Sequence, residues 1–180
     1  MKEDLIKQSI INIAGMMEVS ARTAPKSRGE DFVKILTVTG EDIIRLADSM
    51  HKYGVDRKRK DFDRDAKNVR ECHAVVLLGL KDSTPLKLNC GACGYPDCKS
   101  FKAAKIIDGD FRGPICSYRL IDLGIAVSSA AKTAQIHNAD NRIMYRAGVV
   151  ARHMRLVDWD YVLAIPLSAT GKNIFFDRKT

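Results

Sequence analysis

Four of the five cysteines in this 180-residue chain are bunched: Cys90, Cys93 and Cys98 lie in the run CGACGYPDC, and Cys116 follows after seventeen intervening residues. No other feature restricts the fold as much, because residues 88–116 have to bring these sulfurs to one place. Thiolates are soft, anionic ligands, and four of them converging suit a zinc ion or an iron-sulfur cluster. Structural zinc sites usually pair two CxxC knuckles. Here one CxxC is followed by a third cysteine after four residues and by a single distant fourth. A compact loop plus one remote ligand suits a cubane 4Fe-4S cluster, with a zinc ion and a redox or disulfide arrangement as the alternatives. Gly91 and Gly94 let the backbone wrap closely and turn its amides toward sulfur. Pro96 and Asp97 read as the start of a helix over 97–107 whose N-terminal dipole would face the anionic cluster. Cys116, which must return across the longest segment, reads as the ligand easiest to lose.

The chain is long enough to bury one full core without disulfide staples, and its hydrophobic fraction of 46% fits a globular protein. The N-terminus, MKEDLIKQ, lacks the charged-then-apolar plan of a secretory signal, and no apolar run reaches the length of a membrane span. The expectation is therefore a cytoplasmic protein without membrane association, in whose reducing surroundings clustered cysteines serve as ligands. The balance of 30 Lys+Arg against 22 Asp+Glu gives a formal +8, but the charges are spread, so nucleic acid is not an expected partner. The dense run Arg57, Lys58, Arg59, Lys60 is followed closely by Asp61, Asp63, Arg64 and Asp65, which reads as a solvated helix or loop.

Periodicity supplies the remaining elements. Leu5, Ile6, Ile10, Ile13, Met16 and Met17 recur at helical steps, and a loop over 22–29 follows. FVKILTV (32–38) reads as a strand, 41–54 as a helix, and HAVVLLGL (73–80) as a buried strand, with Cys72 a small buried hydrophobe beside it. Helices are expected over 119–137 and 139–154, and YVLAIPL (161–167) as a last strand. These describe a single α+β domain over 1–180, a sheet covered by helices with a four-cysteine insert at 88–116. Gly124, Ala126, Ser128, Ala130, Ala131 and Ala134 give helix 119–137 a small-residue face that could pack across a two-fold axis, hence a homodimer.

The CGxCGxxxC pattern with its later cysteine resembles the 4Fe-4S module of the B subunit of the Rnf electron-transport complex and of corrinoid iron-sulfur proteins. Together with IDLGIAVSSAAKTAQIHNADNRIMYRAG and IPLSATGKNIFFDR, the run LNCGACGYPDC looks like a family of uncharacterised prokaryotic ferredoxin-domain-containing proteins. That resemblance covers most of the chain and implies a cluster, without naming a reaction. In layout, ARTAPKSRG before the first strand, IDLGIA opening a helix and a last strand leading to a glycine and a terminal arginine are similar to nitroreductase-like flavoproteins. The pair of arginines with which such enzymes grip flavin phosphate near the N-terminus is missing here. The layout implies FMN held by Arg22, Ser27 and Arg28 in the first loop and by Lys172 and Arg178 near the end, against the alternative of an ordinary turn with solvated charges.

Other candidates carry less. LSATGKN (167–173) lacks the glycine spacing and the hydroxyl after lysine of a nucleotide loop. His137, Asn138, Asp140, Asn141 and Arg142 read as a capping network or a substrate-facing cluster. His51, His73 and His153 have no evident partner. Lys99, Lys102 and Lys105 form either a solvated face or one that steers an acidic redox partner protein. Three functions remain: an electron-transfer protein or redox-enzyme component, a flavin-dependent nitroreductase-like oxidoreductase, and a zinc-bearing binding protein outside redox chemistry.

Overall fold

The run AVVLLGL has no polar position, so as a strand it must be covered on both faces. In the computed structural model, which describes the backbone of residues 2–176 and the side chains of residues 5–176, it is covered on both. This strand, β2 (Ala74–Leu80), is buried at every residue. It lies between β1 (Val33–Val38) and β6 (Tyr161–Ser168), and a two-residue strand β5 (Asp140–Asn141) pairs with the far side of β6. All three pairings are antiparallel.

Alternation along β2 and β6 then divides the core in two. Val75, Leu77, Val162 and Ala164 face a layer made of α2 (Glu41–Asp56), α3 (Phe62–Arg70) and α6 (Tyr145–His153). Val76, Leu78, Leu80, Ile165 and Leu167 face α1 (Lys2–Thr23) and α5 (Ser117–Ile136). Buried alanines, Ala14 and Ala21 on α1 with Ala126, Ala130 and Ala134 on α5, let those two helices and the sheet approach closely. The result is one α+β domain with its sheet between helix layers. No helix among the described residues is long and apolar enough to cross a membrane.

Three expectations are corrected. The helix after Asp97 is α4 (Cys98–Ala103), shorter than 97–107. The backbone turns extended at Ala104, and Ile107–Asp108 (β3) pairs with Arg112–Gly113 (β4) in a hairpin. Nor does a helix fill 139–154: Asn138 has a φ of 54°, β5 joins the sheet edge, Met144 bridges Ala164, and α6 begins only at Tyr145. The charged stretch is not wholly solvated either. Phe62, Ala66 and Val69 recur at helical spacing and are buried, and Asp65, 2% exposed, accepts from Arg64 and Arg146.

Close approach of α6 to β6 depends on Gly148, where a Cβ would lie 2.0 Å from the Val162 carbonyl oxygen. Gly148→Ala is expected to destabilise the fold by ~1–3 kcal/mol through overpacking. Gly15→Ala, where a Cβ would meet nothing within 4 Å, should be neutral or add up to ~1 kcal/mol in mid-helix. Thermal melts followed by circular dichroism check the pair, and equal melting of the two variants would contradict this packing.

Candidate metal centre

The cysteine loop is coiled by backbone conformations that sequence could only partly announce. Lys87, Asn89, Gly91 and Gly94 all have positive φ, at 59°, 51°, 71° and 84°. The Gly94 N–H donates to the Gly91 carbonyl at 2.9 Å, closing the turn between Cys90 and Cys93. Asn89 Oδ1 accepts the Cys98 N–H at 3.0 Å, and Ser117 Oγ donates to the Ala92 carbonyl at 3.0 Å. The loop is thus stitched to the starts of both α4 and α5. Asp97 caps α4 by accepting the Ser100 N–H at 2.6 Å. Hydrogen bonding to that amide, the largest cause, holds the Asp97 carboxyl below its ordinary range.

Cys90, Cys93, Cys98 and Cys116 all line one cavity, walled by Leu86, Leu88, Tyr95 and Tyr118. It holds about 300 Å³ of space between atoms, of which about 10 Å³ could take the centre of a water-sized sphere. Asp97 and Ser117 on its wall are already hydrogen-bonded to backbone, and beside the two tyrosine hydroxyls the sulfurs are the soft donors there. All five cysteines are free thiols. Among the described residues no three His, Cys, Asp or Glu side chains gather tightly enough to share one metal ion. The four thiols line one cavity, and soft thiolates are the donor type that an iron-sulfur cluster takes.

The four cysteines differ in burial: Cys116 is 7% exposed and is the N-cap residue of α5, its carbonyl accepting the Arg119 N–H at 2.9 Å, whereas Cys90 is exposed. The cysteine most remote in sequence is thus the one held at a helix end, because sequence distance does not measure how firmly a residue is packed. Cys72 lies outside this cavity and packs against the core beside α3. Burial pushes its thiol up to about 12, so it stays protonated and inert.

The flavin candidates are largely committed elsewhere. Arg22 pairs with Asp31 at 2.5 Å and donates to the Val33 carbonyl. Ser27 donates through both its N–H and its hydroxyl to Asp122 Oδ1, at 2.8 and 2.7 Å. Arg28 and Lys172 are exposed and make no side-chain hydrogen bond among the described residues, and Arg178 lies outside those residues. Asn141 caps the Ala139 carbonyl, Asp140 accepts from Asn173, and Arg142 lies over the Phe176 ring, so that polar cluster ties down the C-terminal segment. Lys99 and Lys102 are exposed on α4, while Lys105 lies beyond its end.

Two constellations had no signal in spacing. Arg119, on the first turn of α5, is fully buried and donates to Thr84 O, Ser27 O, Asp122 Oδ2 and the Glu30 carboxylate. At the other end of the cysteine segment, Asp110 in the β3–β4 turn receives Tyr53 Oη at 3.0 Å, Arg59 at 2.7 and 2.8 Å, and Tyr145 Oη. Burial works to raise the Asp110 carboxyl, but the hydrogen bonds from Tyr145, Arg59 and Tyr53 outweigh it and hold it below the usual range. Burial, then the bond to Asp110, raises the Tyr145 phenol. Each of these residues comes from a different segment, so only folding unites them.

Comparison with known proteins follows the same division of the chain. Residues 87–110 match a family described as "Putative Fe-S cluster", and residues 112–178 match "Uncharacterized protein containing a ferredoxin domain (DUF2148)". An uncharacterized protein of Archaeoglobus fulgidus is 43% identical over 177 residues, 98% of this chain and 96% of that protein. The chain belongs to this ferredoxin-domain family. Within the ferredoxin-domain protein, the iron-sulfur match holds Cys90, Cys93 and Cys98, while Cys116 falls in the second match. Its fold is that of nitroreductases: a Desulfitobacterium hafniense nitroreductase with bound FMN superposes with a TM-score of 0.58 at 8% identity, over 89% of this chain and 78% of that one. The FMN-dependent nitroreductase NfnB of Mycobacterium smegmatis, in complex with NADPH, gives 0.59 at 11% identity over the same shares.

The depressed Asp110 pKa has a defined stability signature. Such a group contributes stability above the ordinary carboxyl value of 3.8, and the contribution is lost as pH falls through the lower folded value. Asp110→Asn should therefore lower stability at pH 7 by ~1–3 kcal/mol, with the gap to the parent protein closing below about pH 4. Urea unfolding at stepped pH checks this; a gap that is constant with pH would mean the carboxylate charge is not what matters.

Proposed function

We propose that this protein carries one 4Fe-4S cluster on Cys90, Cys93, Cys98 and Cys116 and works in the cytoplasm as an electron-transfer protein or a redox-enzyme component. The observation that carries the reading is that four free thiols line one cavity as its soft donors, within and just beyond the segment matching the iron-sulfur family. When bound, such a cluster accepts and returns one electron at a time. The protein's own residues shape that exchange. Leu86, Leu88, Tyr95 and Tyr118 give the cavity a partly apolar wall, with Leu86 the buried member. The N-terminal end of the 20-residue helix α5, whose N-cap is Cys116, favours negative charge there. Cys90, the exposed ligand, marks the edge where a redox partner protein would approach, with Lys99 and Lys102 on the neighbouring helix to steer an acidic face.

A second reading adds FMN at the Arg22–Gly29 loop and Lys172, favoured by the fold shared with FMN-bound nitroreductases. A flavin takes electrons singly or in pairs and could pass them to a cluster. Against it stand the internal partners already held by Arg22 and Ser27. A homodimer is supported by apolar residues exposed on α5, with Ile121 53% and Ile125 40% exposed.

Anaerobic purification followed by iron and sulfide analysis tests the assignment, with about four of each per chain expected. Cys72→Ser should keep that content, and Cys116→Ser should lose nearly all of it with the fold retained by circular dichroism. A colourless protein with one zinc per chain would sink the cluster, and iron loss in Cys72→Ser would sink the ligand set. The same preparation decides the second reading: no flavin absorbance, and no binding when FMN is titrated, removes it. Light scattering on that sample should give twice the chain mass if the α5 face is a dimer contact.

A further inference from the structure

A wide cleft among the described residues has none of the four cysteines on its wall, and neither the cluster nor the flavin reading uses it. It has a volume of about 620 Å³, within the range of small-molecule sites. Its walls are the end of α2, the β3–β4 hairpin, and the segment from the end of α6 to Asp160, with Val157 and Trp159, 6% and 9% exposed, in its base.

Its charges are unevenly satisfied. Arg152 is fixed by Asp108, the Trp159 carbonyl and the Gly109 carbonyl, and so is part of the frame. Asp110 belongs to Arg59 and the two tyrosines, Asp158 to Lys81, and Asp160 accepts the Asp82 N–H. What remains on the wall without an ion pair among the described residues are Arg57, Arg112 and Arg155 against one carboxylate, Asp160, an excess of positive charge. Arg57 is steadied by the Tyr53 ring, 4.6 Å from its guanidinium. These arginines come from three separate elements and border one recess in a chain of formal charge +8. Guanidinium forks match carboxylate and phosphate groups, and three of them on separate elements offer a ligand with several anionic groups more partners than a ligand with one could use.

We propose that this cleft binds a small molecule bearing two or more phosphate or carboxylate groups, held by Arg57, Arg112 and Arg155. Arg112 belongs to the 88–116 segment while none of its four thiols lies on the cleft wall, so the ligand contacts that segment without touching the thiols. Binding does not require the cluster, so it can succeed or fail independently of the cluster assignment.

The test is isothermal titration of the anaerobically purified full chain at low ionic strength, with pyrophosphate in one arm and tricarballylate in the other. The double variant Arg112→Gln/Arg155→Gln is compared with Arg45→Gln/Arg70→Gln, which removes the same charge from exposed arginines outside the cleft. Saturable binding with one site per chain is expected in at least one arm, weakened tenfold or more by the first double variant and less than twofold by the second. Binding of pyrophosphate alone assigns a phosphorylated ligand, and of tricarballylate alone a polycarboxylate; binding of both assigns a site that reads charge spacing. Absence of saturable binding in both arms overturns the proposal, as does equal weakening by the two variants, which would reduce the effect to net charge.

Discussion

The buried guanidinium of Arg119 holds the cysteine end of the molecule together. An ionised group with no exposed surface persists only when its donors are all used and its charge is matched. Arg119 meets both demands: it reaches Asp122 on its own helix, Glu30 and the Ser27 carbonyl on the loop after α1, the Thr84 carbonyl after β2, and the face of Phe32 at 4.6 Å. Two separate segments, residues 27–32 and Thr84, are thereby fixed to the first turn of α5. Since Cys116 is the residue that caps that turn, the position of the buried thiol follows from the position of this arginine.

The sheet supplies the stiffness against which that network acts. β2 is buried on both faces and paired on both sides, so α1 and α5 are pressed against one face and α2, α3 and α6 against the other. The cysteine segment leaves this sandwich after β2 and re-enters at α5. Between these two fixed points it is held by side-chain and backbone bonds: Asn89 to Cys98, Ser117 to Ala92, and Asp110 to Arg59, Tyr53 and Tyr145. The frame is that of nitroreductases, and the four-cysteine module occupies the connection between a central strand and the following long helix.

Charge is partitioned between the two ends of that module. Near Cys116 a single buried cation is surrounded by its partners. Around the hairpin, paired Asp–Arg contacts build a wall and leave three arginines over for the cleft. Structural and ligand-directed arginines are told apart by whether a carboxylate already answers them, which residue type and net charge alone do not reveal.

Residue types and spacing were enough to group the four cysteines and to find strands over 32–38 and 73–80 and the long helices, because thiolate chemistry and the periods of 2 and 3.6 residues are local properties. It also exposed the family likeness through contiguous runs. It misread α3, whose Phe62, Ala66 and Val69 are hidden among charges, and the start of α6, where an asparagine in the left-handed region and two paired residues interrupt the helical pattern. Three-dimensional packing alone buries Cys116 at the start of α5, brings Asp110 to Arg59 and two tyrosines, and sets Arg57, Arg112 and Arg155 around one cleft. Those facts depend on which distant segments meet, and that is settled by burying both faces of β2 and by satisfying Arg119, not by the residues adjacent along the chain.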